Sequence, residues 1–191
     1  MTNSAIIEDE DVIIMTDPCW LPAEVETINN FLKHKLENKQ LYVIYTHSDF
    51  DHIIGAGAFP KAKVIASRRF AEHPEKETII QEIHSFDQMY YISRDYDTIF
   101  PAVDIVIDKD DQQLQLGSFT LTFHLAPGHT KDSLFTVIEP EGIFLCGDYL
   151  SDVEFPFLSD VEDYFKIMSL ERLKFILPEL LKMIITAFIT R

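Results

Sequence analysis

The sequence has few cysteines and no Cys-x-x-Cys pair. Cys19 and Cys146 are the only two cysteines among the 191 residues, and they lie far apart. This spacing argues against both a disulfide framework and a cysteine-based zinc site. Buried free thiols are the simpler interpretation of both residues.

Basic residues are also scarce. There are 16 Lys and Arg against 32 Asp and Glu, which gives a formal net charge of −16 at pH 7. A surface this negative repels the phosphates of nucleic acids and of anionic lipids. We therefore expect neither nucleic acid nor a membrane as a partner, and a small molecule as the substrate.

Long hydrophobic runs and targeting segments are missing as well. The most apolar stretch, residues 175–189, is interrupted by Pro178, Glu179 and Lys182 and is too short to span a bilayer. The N-terminal residues carry no basic segment and soon become acidic, so no signal peptide is predicted and a cytoplasmic location is expected. The length and the 47% content of hydrophobic residues are typical of one globular domain over residues 1–191.

Hydrophobic periodicity predicts an alternation of strands and helices. Helices are predicted after Pro22 and at residues 74–91 and 160–181. Two sheets packed face to face with helices outside accommodate this order, which makes the fold class α+β. The predicted strands are residues 4–7, 12–16, 41–45, 63–66, 104–107, 112–116, 119–125, 134–138, 143–146 and 184–189.

Four residues of metal-ligand type directly follow the strand predicted at 41–45. They are His47, Asp49, Asp51 and His52. A loop at the end of a strand has a rigid base, and its side chains can still converge. Imidazoles and carboxylates are normal ligands of Zn, Fe and Mn. A solvated polar loop is the alternative, but four such residues in so short a segment favour a metal site.

Two later segments also carry ligand-type residues after strands. A Pro-Gly turn follows the strand at 119–125 and leads to His129, and Asp148 follows the strand at 143–146. Taken alone, Asp148 is equally compatible with an ordinary turn. Asp17, before Pro18, is likewise compatible with a helix start or a turn.

In chain order, these segments resemble the metallo-beta-lactamase superfamily. The resemblance covers almost the whole chain: Asn-Ser at 3–4, Thr-Asp-Pro at 16–18, Thr-His-Ser-Asp-Phe-Asp-His at 46–52, Pro-Gly-His-Thr at 127–130 and Gly-Asp at 147–148. It implies an αββα sandwich with a metal site at one edge of the sheets. It also implies one or two divalent metal ions, Zn, Fe or Mn, as cofactors.

The resemblance further implies a role for each residue. A first metal site would use His47, Asp49 and His129, and a second would use Asp51 and His52. Asp148 would bridge the two metals, and Asp17 would orient a ligand imidazole without touching a metal.

The sequence departs from the superfamily pattern at two places. Asp49 stands where the motif usually has a histidine, and a carboxylate favours Fe or Mn somewhat over Zn. In addition, no histidine follows His129, so the superfamily's last ligand of the second metal is missing. We therefore expect a chain shortened at the C-terminus, without the last turn and the terminal helix, and with an uncovered apolar strand at 184–189 that favours a homo-oligomer.

The function implied by the resemblance is metal-dependent hydrolysis of a small ester, thioester or lactone by a metal-activated water, with Asp51 as the catalytic carboxylate. No Gly-x-Ser-x-Gly motif, phosphate loop or dinucleotide motif offers a rival chemistry. Two alternatives remain open: a non-haem di-iron redox protein, and a shortened relative that is inactive or only binds a ligand.

Overall fold

The computed structural model describes residues 3–150, 157–169, 172, 173 and 176. The strands are β1 (Ile6–Glu8), β2 (Val12–Thr16), β3 (Gln40–Ile44), β4 (Lys63–Ser67), β5 (Ile105–Ile107), β6 (Gln112–Leu116), β7 (Phe119–Leu125), β8 (Leu134–Glu139) and β9 (Ile143–Leu145). The helices are α1 (Pro22–Leu32), α2 (Phe50–Ile53), α3 (Arg68–Ala71), α4 (Lys76–Tyr90) and α5 (Val161–Ile167), with a 3-10 turn at Ala56–Ala58.

The strands form two sheets. The first has the order β1-β2-β3-β4-β5, in which β1 is antiparallel to β2 and all other neighbours are parallel. The second is an antiparallel sheet of β6 to β9 in sequence order. Because β2 and β3 run parallel with Thr16 opposite Ile44, their C-terminal ends meet at one edge of the first sheet.

Alternation along the strands divides the core into layers. In β2, Ile13 and Met15 pack against the cluster that contains Val25 of α1 and Ile83 of α4. The intervening Ile14 faces the other way, into the cluster between the two sheets. The first sheet is therefore covered by helices on one face and by the second sheet on the other.

The second sheet is covered in the same manner. Phe123 of β7 and Ile138 of β8 belong to the cluster between the sheets. Phe135 of β8 faces outward and packs in a separate cluster with Ile167 of α5. The order of layers is helix, sheet, sheet, helix, so the predicted αββα sandwich is confirmed.

Most predicted elements occur within a residue or two of their expected bounds. Three short elements, α2, α3 and the 3-10 turn, were not predicted because four residues or fewer carry no readable periodicity. The helix predicted at 160–181 is described as α5 at its start, and the strand predicted at 184–189 lies outside the described residues.

The structure also bears on the cysteines and on the expected lack of a membrane-spanning segment. Cys19 and Cys146 are free thiols, but each is half-buried where full burial was expected. Among the described residues, no helix is long and apolar enough to cross a membrane.

Substitution of Phe123 tests the packing between the sheets. The Phe123 side chain is fully buried in the inner cluster, so Phe123→Ala should lower the free energy of unfolding by about 3–5 kcal/mol, measured by urea denaturation. The matched control is Phe165→Ala, because 68% of Phe165 is exposed, and it should change stability by less than about 0.5 kcal/mol. Equal effects of the two substitutions would contradict the layer assignment.

Candidate metal centre

The first group of site residues follows β3. Asp49 occupies the N-cap position of α2, and this four-residue helix carries Asp51 and His52. His47 and His52 are almost completely buried, whereas Asp51 is partly exposed. The short helix turns the chain sharply, which brings side chains on both sides of the turn to the same edge of the sheet.

His129 lies in the loop between β7 and β8. Gly128, the residue before it, has a φ of +145°, and a Cβ there would lie 2.6 Å from the Cα of Tyr164. Only glycine therefore lets this loop approach the start of α5. The backbone of α5's N-cap, Asp160, donates a hydrogen bond to the Gly128 carbonyl at 3.0 Å.

Asp148 lies in the loop after β9. Gly147 has a φ of +56°, and a Cβ there would lie 2.8 Å from the Oγ1 of Thr46. The absence of a side chain at Gly147 is what brings Asp148 against the segment that carries His47.

The three loops place their ligand-type side chains together. Within the described residues, His47, Asp49 and His129 form one group whose ligand atoms all lie within 4.8 Å of one another, and His47, His52 and Asp148 form a second. His47 belongs to both groups. The first group contains the residues expected for the first metal. The second contains His52 and Asp148 as expected, but its third member is His47 and not Asp51.

Asp148 faces both groups. Its Oδ1 lies 3.0 Å from Nε2 of His52, and its Oδ2 lies 3.5 Å from Nε2 of His129 and 3.9 Å from Nε2 of His47. Asp148 would therefore be within reach of ions held by either group, which is compatible with the bridging role that the resemblance implies. Asp51 is more peripheral, with its Oδ2 3.9 Å from Nε2 of His52. The assignment of metal ligands stays a prediction, with His47, Asp49, His52, His129 and Asp148 as its geometric centre.

Neighbouring groups fix the imidazoles with Nδ1 turned away from the centre. The Thr46 hydroxyl donates to Asp17 Oδ2 at 2.5 Å, so its oxygen accepts the proton of His47 Nδ1 at 3.1 Å. His129 Nδ1 donates to the carbonyl of Phe157 at 2.5 Å, and His52 Nδ1 lies 3.1 Å from Asp17 Oδ2.

The opposite ring nitrogens are the ones that converge. Nε2 of His47, His52 and His129 is buried in each case, and although carboxylate oxygens of Asp148 lie 3.0 to 3.9 Å away, none of the described residues forms a hydrogen bond with it. The same holds for His52 Nδ1, which lies 3.1 Å from Asp17 but is not hydrogen-bonded to it. Buried polar atoms in proteins normally have a partner, and an exception calls for an explanation such as an ion. Three converging imidazole nitrogens beside carboxylates are the donor set that Zn, Fe and Mn accept, so these residues fit a divalent metal.

The electrostatics of the cluster agree with this fit. Burial raises the pKa of a carboxyl group, but the nearby imidazoles outweigh it and hold the pKa values of Asp49 and Asp148 below their usual range. Burial lowers the pKa of an imidazole, but Asp148 and Asp49 raise that of His129 to about 10. Against the same effect of burial, Asp17 and Asp148 raise the pKa of His52. Without a metal, His129 and His52 therefore carry protons at neutral pH, and their positive charges offset the negative charges of Asp49 and Asp148.

Asp17 takes the place that the resemblance implies. Its side chain is buried, and its Oδ1 accepts a hydrogen bond from the backbone of Thr46 at 2.8 Å. Its Oδ2 lies 3.1 Å from His52 Nδ1 and accepts a hydrogen bond from the Thr46 hydroxyl, which contacts His47. This position is compatible with the expected role of Asp17, which stays a prediction.

Sequence reasoning missed two residues that support the ligands, Thr46 and Tyr149. The Tyr149 hydroxyl donates to the carbonyl of Ala126 at 2.6 Å and accepts a hydrogen bond from the backbone of His129 at 3.0 Å. It thereby joins the Asp148 loop to the His129 loop. The only signal in the sequence is its position next to Asp148, and this position does not indicate which backbone groups the hydroxyl contacts.

None of the remaining histidines belongs to the two groups. His34 and His84 are exposed, as expected. His73 was expected at the solvated surface, but it is half-buried beside Phe100 and lines the same cavity as Asp49 and His129. His124 is buried on β7, with Nδ1 3.3 Å from Oδ1 of Asp111.

A cavity of about 710 Å³ opens beside the centre, with Asp49 and His129 on its wall. Phe157 also lines this cavity. Tyr149 is instead buried and stacked on Tyr164, with ring centroids 5.0 Å apart. The cavity gives a small molecule access to the first group of ligand-type residues.

Comparison with known families agrees with the fold and the geometry. The sequence profile described as the metallo-beta-lactamase superfamily matches residues 1–182. The chain therefore belongs to the metallo-beta-lactamase superfamily. The resemblance found in the motifs is confirmed, and the fold is that of a metallo-hydrolase.

Solved structures share this fold at low sequence identity. The B3 metallo-beta-lactamase BLEG-1 is 19% identical, with a TM-score of 0.54, over 75% of this chain and 65% of its own. A metallo-beta-lactamase from Cronobacter sakazakii is 21% identical, with a TM-score of 0.58, over 86% and 65%. An archaeal superfamily protein from Sulfolobus tokodaii is 18% identical, with a TM-score of 0.57, over 86% and 67%.

These likenesses establish the fold alone. The chain spans 65% of the length of the first two proteins. A search of curated proteins finds no match to this sequence.

Removal of the Thr46 hydroxyl tests its support of His47. Thr46→Val keeps the shape of the side chain but frees the imidazole to rotate, so the affinity for Zn²⁺ should fall about 10- to 100-fold, measured by competition with a chromophoric chelator. Thr46→Ser restores the hydroxyl and should keep most of the affinity. Equal affinities of the valine and serine variants, with both folded by circular dichroism, would count against this role.

The raised pKa values of His129 and His52 predict proton release on metal uptake. Metal binding requires neutral imidazoles, so loading both groups at pH 7 should release about two protons in total, one from His129 and one from His52. Affinity should rise as the pH approaches the pKa of His129, which is about 10. Calorimetry in buffers of different ionisation enthalpy measures the number of protons released. The exposed-histidine control His84→Gln should release the same number, and release near zero in the unsubstituted protein would refute the prediction.

Proposed function

We propose that this protein is a metal-dependent hydrolase that uses a metal-activated water on a small ester, thioester or lactone. The observation that carries the proposal is the pair of His/Asp groups that share His47 beside an open cavity. A structural metal site would be closed, whereas hydrolysis needs an open position for water and substrate. Membership of the metallo-beta-lactamase superfamily supports the same reaction class.

The ligand residues would hold one or two divalent ions. His47, Asp49 and His129 would hold the first, and His52 and Asp148 with His47 or Asp51 the second. When bound, such ions supply Lewis acidity and lower the pKa of water at the site. The hard carboxylate of Asp49 favours Fe or Mn somewhat over Zn.

The chain's own residues complete the chemistry. Asp51 is partly exposed beside His52, and we assign its carboxylate the task of orienting the attacking water and accepting its proton. Asp17 and Thr46 keep the imidazoles of His52 and His47 in the tautomers that leave Nε2 available. A water nucleophile makes a nucleophilic serine unnecessary, so we assign Ser133 a structural role, in which its hydroxyl is hydrogen-bonded to that of Thr130 at 2.7 Å.

The high negative charge of the chain favours small substrates over nucleic acids. We also propose that the protein is cytoplasmic and forms a homo-oligomer, as the sequence predicts. The apolar strand on which the oligomer prediction depends lies outside the described residues.

A metal-reconstitution assay tests the function. Protein stripped with a chelator should lose hydrolysis of a panel of aryl esters, thioesters and lactones, and Zn²⁺, Mn²⁺ or Fe²⁺ should restore it. His129→Ala should lower kcat/KM at least about 100-fold, because it removes a ligand. The matched control His84→Ala is an exposed histidine on α4 and should leave kcat/KM unchanged.

Other results would select the alternatives. Iron with visible absorption and oxygen consumption, but no hydrolysis, would indicate the di-iron redox protein. Metal binding without turnover of any substrate would indicate a binding protein. Unchanged metal content in His47→Ala and His129→Ala would overturn the site assignment itself.

A further inference from the structure

Two basic residues, which we call the cationic wall, line the cavity beside the candidate metal centre. Arg69 of α3 and Lys131, two residues after His129, both line the cavity of about 710 Å³ that Asp49 and His129 also line. They also line a neighbouring cavity of about 300 Å³. Both cations therefore face the space that a substrate would occupy, in a chain with only 16 Lys and Arg.

Two hydrogen bonds attach this wall to the ligand loop. Arg69 Nη1 donates to the carbonyl of Lys131 at 3.1 Å, and the Ser67 hydroxyl donates to the carbonyl of Asp132 at 2.7 Å. Ser67 is also the N-cap of α3, where its Oγ accepts a hydrogen bond from the backbone of Phe70 at 3.1 Å. These bonds join the start of α3 to the residues after His129, and they hold the Arg69 guanidinium next to the backbone of Lys131.

The nearest carboxylates do not neutralise these cations. Glu72, which lines both cavities, lies 3.2 Å from Nη1 of Arg68, and Asp108 lies 3.0 Å from Nη2 of the same residue. Among the described residues, neither Arg69 nor Lys131 forms an ion pair. A guanidinium that makes one hydrogen bond to a carbonyl retains donors for an incoming oxyanion.

Carboxylates line the larger cavity as well, and one of them, Asp132, directly follows Lys131 in the sequence. Glu75 and Glu82 belong to the start and the middle of α4, and Asp132 is buried below the loop surface. They repel additional negative charge on the substrate. The cavity therefore favours a substrate with a single anionic end.

We propose that Arg69 and Lys131 bind an oxyanion at the non-reacting end of the substrate, and that the substrate is an ester or thioester with a terminal carboxylate or phosphate. This inference rests on the proposed hydrolase function, which it narrows to a substrate class. Arg69 gives the planar, bidentate recognition that a carboxylate matches, and Lys131 adds a point charge. The reacting carbonyl then lies toward Asp49 and His129.

Matched esters test the inference. The probes are 4-nitrophenyl hexanoate, the mono-4-nitrophenyl ester of adipic acid, which has the same chain length and a terminal carboxylate, and the 4-nitrophenyl ester of 6-phosphonooxyhexanoic acid. The metal-loaded protein should cleave an anionic ester with a kcat/KM about tenfold or more above that of the neutral ester. The ratio between the two anionic esters identifies the carboxylate or the phosphate as the preferred end.

Variants of the two adjacent arginines make the test specific. Arg69→Gln should abolish the preference by lowering kcat/KM for the anionic esters alone. The control Arg68→Gln alters the neighbouring arginine of α3, whose charge is already paired, and should keep the preference. Equal cleavage of neutral and anionic esters, or an equal loss for both in Arg69→Gln, would overturn the anion site and leave the hydrolase proposal standing.

A binding measurement separates the two proposals if no ester is cleaved. In that case the hydrolase proposal fails for this substrate class, and calorimetry with two unreactive amides, adipamate and hexanamide, decides on the anion site. Tighter binding of adipamate that is lost in Arg69→Gln would support the site. Equal binding of the two amides would refute it.

Discussion

The buried carboxylate of Asp17 is the constraint on which the candidate metal centre depends. It accepts hydrogen bonds from both the backbone and the hydroxyl of Thr46 and lies 3.1 Å from His52 Nδ1. A buried carboxylate without partners would be strongly unfavourable, so these contacts hold the end of β2, the end of β3 and α2 in one arrangement. The backbone of Asp17 has a φ of +32°, an uncommon conformation outside glycine that aspartate tolerates better than most residues.

The layered fold organises the rest of the centre around this carboxylate. Parallel pairing of β2 with β3 brings the residues after each strand to the same edge, and the second sheet contributes the loops of His129 and Asp148. Tyr149 connects these two loops through its hydroxyl. The ligand-type residues therefore come from the segments that follow strands β3, β7 and β9, and the contacts of Asp17 and Tyr149 connect these segments to one another and to the end of β2.

Much of this arrangement could be predicted from short segments of the sequence. The strands could be predicted because alternation and apolar runs are properties of a few adjacent residues, and the segment from His47 to His52 was visible for the same reason. The supporting contacts could not be predicted, because Thr46 and Asp17 are 29 residues apart and Tyr149 and His129 are 20 apart. That His47 is shared by both groups, with Asp51 outside them, depends on the turn made by the four-residue helix α2. Such a turn has no periodicity to detect.

Phe157 contributes to two parts of the molecule at once. Its carbonyl accepts the hydrogen bond from His129 Nδ1, while its side chain, in a residue that is 78% exposed, lines the adjoining cavity. A molecule in the cavity that displaced Phe157 would remove the acceptor of the His129 Nδ1 hydrogen bond, and an ion that held His129 would in turn hold this part of the cavity wall. We therefore expect the occupancy of the cavity and that of the candidate metal centre to affect each other by the same factor, as thermodynamic linkage requires.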